Sequence, residues 1–115
     1  MTLNTADLII MKLVMFGSTA IELPKEFALH QNYPNPFNPT TRIKYDLPKE
    51  SKVILKVYNL LGQEVITLLD EIQDAGFKSI EWNASDFPSG VYIYRLSAEA
   101  EGKSFMDVKK VVLLR

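Results

Sequence analysis

The chain has 115 residues, of which 47% are hydrophobic and 23% charged, and its 13 basic residues against 14 acidic ones leave a net charge of -1. That length suits one domain around a single core, and the near-neutral balance gives no field that would gather nucleic-acid phosphates or anionic lipids. With no cysteine there is no disulfide frame and no thiolate metal site, and the single histidine, His30, excludes a two-histidine site.

Residues 1–22 read differently from the rest. Leu8-Ile9-Ile10-Met11-Lys12-Leu13-Val14-Met15-Phe16 is apolar but broken by Lys12, and it is much shorter than the roughly 20 residues of a spanning helix. A signal peptide should carry positive charge ahead of its apolar stretch, whereas Asp7 comes first here, although Ser18-Thr19-Ala20 loosely suits a cleavage region. The segment reads best as a tail or remnant of an upstream region. A signal peptide and an element packed on the domain are the other readings.

Residues 31–40, QNYPNPFNPT, are rich in turn formers. Pro36 and Pro39 stand three apart, the repeat of a polyproline II helix, and each follows an asparagine held to extended or turn geometry by the proline after it. The expectation is a rigid lead-in that lays Tyr33 and Phe37 against an edge of the fold, with direct contact between the run and a partner's machinery as the second reading. Docking of Pro36-x-x-Pro39 in an SH3-like groove is disfavoured, because no basic residue flanks it.

From residue 41 the apolar period is two. Ile43, Tyr45 and Leu47 share one face of a strand, and Val53, Leu55 and Val57 share one face of a second over Lys52 to Asn59. Leu61-Gly62 supplies a turn before a third strand from Glu64 to Leu69. There Val65, Leu68, Leu69 and Ile72 also fit a helical stripe, but Val65, Ile66 and Thr67 are β-branched and favour the strand. Asp70 to Gly76 reads as a polar loop; its Asp70, Glu71 and Asp74 lack the regular spacing of a calcium loop. Phe77 to Trp82 forms the next strand, with Trp82 expected in the core. Asp86 to Gly90 turns into Val91 to Ala98, where Val91 and Ile93 cover one face and Tyr92 and Tyr94 the other, as in a central strand. A last strand runs from about Lys103 to Leu114. Gly62 and Gly90 are expected at turns that need a positive φ. The fold predicted is all-β, an immunoglobulin-like antiparallel β-sandwich of about seven strands.

Catalysis finds little support. No G-x-S-x-G elbow is present, and His30 sits beside the proline run. Asn83-Ala84-Ser85 matches a glycosylation acceptor by coincidence. The better candidate for function is the end of the chain, where Lys103, Lys109, Lys110 and Arg115 oppose only Asp107 and the carboxylate. A solvated edge strand guarded by lysines is the competing reading.

Taken in order, Asn32-Tyr33-Pro34-Asn35-Pro36-Phe37-Asn38-Pro39, then Val57-Tyr58-Asn59 with Leu61-Gly62-Gln63-Glu64-Val65, then Trp82, then Ser89-Gly90-Val91-Tyr92, then Lys109-Lys110-Val111-Val112-Leu113-Leu114-Arg115, form a joint pattern. It resembles the carboxy-terminal sorting domain of the type IX (Por) secretion system, type A, over roughly residues 21–115. The immunoglobulin-like domain of flagellar hook-capping proteins is similar in fold, but has no reason to carry the basic and apolar end.

The resemblance implies a non-catalytic address at the end of a larger cargo protein, without cofactor, nucleic acid or small-molecule substrate. It implies reading by an outer-membrane translocon of a Gram-negative bacterium, passage through the periplasm, cleavage by a surface sortase, and cargo released or held at the cell surface. Lys109 to Arg115 is the segment expected to be recognised. Residues 23–115 would be the sorting domain; the twenty or so before it are too few for a cargo, so the chain is expected to be a detached or truncated piece. The alternative is a structural or adhesive immunoglobulin-like module that binds a partner by its sheet.

Overall fold

Strict alternation builds this molecule. In the computed structural model, which describes residues 22–115, the chain forms β1 (Ala28–Leu29), β2 (Thr40–Leu47), β3 (Ser51–Asn59), β4 (Glu64–Gln73), β5 (Gly76–Asn83), β6 (Gly90–Ala100) and β7 (Lys103–Leu113). The readings of residues 1–21 lie outside the described residues. All pairings are antiparallel, in a three-stranded sheet β1-β2-β5 and a four-stranded sheet β4-β3-β6-β7. This is the all-β immunoglobulin-like sandwich that the alternation predicts.

The core lies between the sheets. Thr41, Ile43, Tyr45 and Leu47 of β2 are buried in alternation, and so are Val53, Leu55 and Val57 of β3 and Tyr92, Tyr94, Leu96 and Ala98 of β6. Because side chains alternate faces, a slip of one residue in any of these strands would turn its apolar set to solvent, which fixes the register. β6 pairs with both β3 and β7 and is central, as its doubly apolar sequence implies.

The third strand differs from expectation. β4 continues through Asp70 and Glu71 to Gln73, where the sequence suggests a polar loop. Two register shifts cause this: Leu55 faces Leu69 but Lys56 faces Thr67, and Val57 faces Ile66 but Tyr58 faces Glu64, so Leu68 and Val65 are extra residues. Each β-bulge inverts the alternation beyond it, and two inversions spread apolar residues to the spacing that mimics a helix. On the continued strand Gln73 faces the interior, where its Oε1 accepts a hydrogen bond from the Tyr45 hydroxyl at 2.5 Å.

The strands run between two poles. β7 has 11 residues, so the poles stand about 35 Å apart at a strand's rise of about 3.3 Å per residue. At one pole lie the turns around Pro48 and Gly102, and the chain joins the sandwich there through Phe27, stacked on Phe105 with centroids 5.6 Å apart and planes 13° apart. At the other lie the Leu60–Gln63 turn, the loop from Ala84 to Ser89 and the residues that follow β7.

Candidate recognition surface

The proline run joins the two sheets at the second pole. His30 N donates to Lys44 O at 3.0 Å, and Tyr33 and Arg42 exchange both backbone hydrogen bonds at 3.0 and 2.9 Å, so the run first follows β2. Four residues later it is on the other sheet. Phe37 N donates to Val112 O and Leu114 N donates to Phe37 O, both at 3.0 Å, which makes a parallel bridge beside Leu113. Val112 N donates to Asn35 Oδ1 at 3.0 Å, and Gln31 Nε2 donates to Lys110 O at 2.7 Å.

Asparagine and proline suit this path. A proline lacks an N–H that would need a partner, and an asparagine side chain supplies the acceptor that an irregular backbone cannot. The bends at Pro34–Pro36 and Asn38–Pro39 depart from the straight path that a polyproline II repeat would give. A straight helix could not pair with both sheets within five residues.

Beneath the run is a buried polar knot. Asn32, only 3% exposed, donates through Nδ2 to Pro34 O at 3.0 Å and Thr41 Oγ1 at 2.9 Å, and its Oδ1 accepts from Gln31 Nε2 at 2.6 Å. Thr41 Oγ1 donates to Pro34 O at 2.8 Å. The Tyr94 hydroxyl accepts from Asn32 N at 2.8 Å and donates to His30 O at 2.7 Å. Burial pushes the Tyr94 phenol up to about 12, against the opposing pull of its bond from Asn32. Removing one member strands the others away from water, which is costlier than never having made the bond.

Aromatic rings fill the space next to the knot. Phe37 lies 5.2 Å from Trp82, and Trp82 meets Phe87 and Tyr92 edge-on at 5.8 and 5.6 Å. The Tyr92 hydroxyl donates back to Pro88 O at 2.5 Å. A tyrosine at the start of this strand bonding a carbonyl a few residues upstream is the tyrosine corner of immunoglobulin-like folds, and it gives Ser89-Gly90-Val91-Tyr92 its physical role. Buried Ala84 ties the parts together: its N donates to Pro39 O at 2.8 Å, and its carbonyl accepts from Arg115 Nη2 at 2.8 Å, which also reaches Ser85 O.

The residues singled out in the sequence thus divide. Asn32, Phe37, Trp82, Tyr92, Val111 and Leu113 are buried, and Val91 and Val112 are half-buried. Pro34, Asn35, Pro36, Asn38, Pro39, Gly62, Lys110 and Leu114 are exposed, and Gly90 opens β6. Tyr33 departs from the expected packing: it is 82% exposed, while Phe37 alone is the anchor, at 2%. Lys109 lies 3.9 Å from Asp107, and Arg115 is engaged with backbone carbonyls. Within Lys109 to Arg115, Lys110 is exposed, as is Leu114 at 53%.

The sequence does not disclose the part that Thr41, Tyr94 and Ala84 take in the junction, although the pattern places Tyr94 on a covered face of its strand. A polar Thr41 in phase with Ile43 and Tyr45 is the readable sign of the knot, since a buried hydroxyl needs a partner. Ala84 carries no such sign.

The geometry defines a class, an immunoglobulin-like sandwich whose diagnostic residues build a junction between its first and last segments. The chain belongs to the family of secretion system C-terminal sorting domains, whose model matches residues 31–113. That family comprises sorting signals of type IX secretion and is typically non-catalytic; membership implies delivery to the cell surface or exterior. Among solved structures, the crystal structure of dimeric latent PorU from Porphyromonas gingivalis is similar at 16% identity with a TM-score of 0.62, over 84% of this chain. That likeness is one of fold. This chain spans 10% of the length of that one. No curated protein matches.

Proposed function

We propose that this sandwich is the address of a longer secreted protein, read at its second pole by the outer-membrane translocon and then cut from its cargo by a surface sortase. The carrying observation is the hydrogen-bonded junction of Gln31–Phe37 with Lys110–Leu114. It displays Tyr33, Pro34, Pro36, Lys110 and Leu114 to solvent on a framework fixed from both ends of the domain. The cargo would be joined at the opposite pole, upstream of Phe27, where it leaves this surface clear.

Deleting Lys109 to Arg115 would not test this reading cleanly. It removes Val111 and Leu113, both fully buried, and so about 3–6 kcal/mol of burial from a fold whose total stability is of the order of 5–15 kcal/mol. Exposed positions make the better test. With the full chain fused behind a periplasmic reporter in a host that possesses the system, Lys110→Glu with Leu114→Ser should leave the melting temperature unchanged and reduce export. Full export by that folded variant refutes recognition at this surface; export independent of the fused chain refutes the address, and leaves an adhesive or structural role.

A further inference from the structure

The turn between β3 and β4 is built like a contact element, and the junction just described makes no use of it. Leu60 and Leu61 stand at its tip, 66% and 83% exposed. Water-exposed neighbouring leucines on a floppy loop would mean little, but this loop is held from within. Asn59 Oδ1 accepts from both Leu61 N and Gln63 N at 3.0 Å, and Asn59 Nδ2 donates to Gln63 Oε1 at 2.8 Å. The backbone adds Asn59 N to Gln63 O and Gly62 N to Asn59 O, each at 3.0 Å. Gly62, at φ 82°, supplies the left-handed residue that closes the turn. Five hydrogen bonds across five residues fix two apolar side chains that pack on nothing in the core.

The turn also has a telling place. Asn59 faces Tyr92, and Tyr92 faces Val111, so the leucines sit at the same pole as the junction and far from Phe27. We infer that Leu60 and Leu61 form a preformed apolar prong that enters a hydrophobic pocket on a protein partner, a second contact beside the exposed residues of the junction. The inference rests on reading the domain as a sorting address, with the same partner bearing both contacts. Rigidity favours a shaped pocket, because ordering a loop on binding costs affinity that this turn does not lose. A bilayer fits less well. Two leucines carry far less apolar surface than one acyl chain, which by itself binds membranes only marginally.

The test uses the full chain behind the export reporter. Leu60→Ser with Leu61→Ser should keep the melting temperature, because neither side chain is in the core, and should lower export by about tenfold or more, as loss of an anchoring contact does. Asn59→Ala, which frees the turn but keeps the leucines, should give a smaller loss. A photo-crosslinking residue at position 61 should capture a protein in exporting cells, and Leu60→Ser should weaken that crosslink. Full export by the folded double leucine variant, while Lys110→Glu with Leu114→Ser fails to export, overturns the prong and leaves the address standing. A wild-type fusion that is not exported overturns the address itself. Flotation of the wild-type chain with vesicles of phosphatidylethanolamine and phosphatidylglycerol, abolished by the leucine variant, overturns the protein pocket in favour of a membrane.

Discussion

The sandwich has two long sides, and it protects them by different means. On one, β1 and β7 are bridged by Gln31–Phe37, which pairs with both sheets and links Gln31 to Lys110 across 79 positions of sequence. On the other, β4 and β5 are the outer strands of their sheets and pair with nothing further among the described residues. There β4 is broken by two bulges and carries Asp70 and Glu64, paired with Lys52 at 2.7 Å and Lys56 at 2.9 Å on the neighbouring β3. Bulges and charge are enough to discourage stray strand pairing. Covering an edge does more than protect it: it makes the surface at the covered side depend on both ends of the domain being folded together.

Substitutions should expose that difference. Phe37→Ala removes the covered side's aromatic anchor from between Trp82 and Leu113 and should cost about 3–5 kcal/mol, the usual range for a buried phenylalanine. Chemical denaturation would register this as a large fall in midpoint. Asn32→Ala breaks the polar knot and should cost about 2 kcal/mol, since buried partners are left unpaired. Tyr94→Phe should behave similarly near neutral pH and also change the alkaline limb. The Tyr94 phenol is held at about 12 in the fold, above the unfolded value of about 10, so its contribution is fully present below about pH 10 and is lost as pH rises towards 12. Without the hydroxyl, melting temperature should fall less steeply across that window. On the open side, Lys52→Ala should change stability by less than about 1 kcal/mol, because exposed ion pairs contribute little. Smallest of all, Tyr33→Ala should stay within about 0.5 kcal/mol, which would set it apart from Phe37 in the same run.

The strands were legible because their inner faces are uninterrupted. Ile43-Tyr45-Leu47 and Val53-Leu55-Val57 can bury only one way, and a strand that opens apolar on both faces, as Val91 to Tyr94 does, reads as central. β4 was harder to read, since two bulges scramble the period on which the reading depends, and Asp70 and Glu71 look like loop residues until their cross-strand partners are known. The proline run was legible as a rigid feature but not as a bridge. Nothing local says that Asn35 will receive a hydrogen bond from Val112 or that Arg115 will reach Ala84, because those contacts arise from the way the sheets stack. The same holds for Tyr33 and Phe37, which look alike in sequence and differ only in which side of the run faces Trp82.

The first motif and the last strand form one cooperative junction, and amide hydrogen exchange reports on it residue by residue. The Phe37 and Leu114 amides, each bonded to the other segment at 3.0 Å, should exchange slowly in the native protein despite the exposure of Leu114. Both should lose protection together in Asn32→Ala, while amides of β6 remain protected. Exchange of Phe37 and Leu114 at unstructured rates in the unmodified chain, beside a protected β6, would mean that the two segments are not joined.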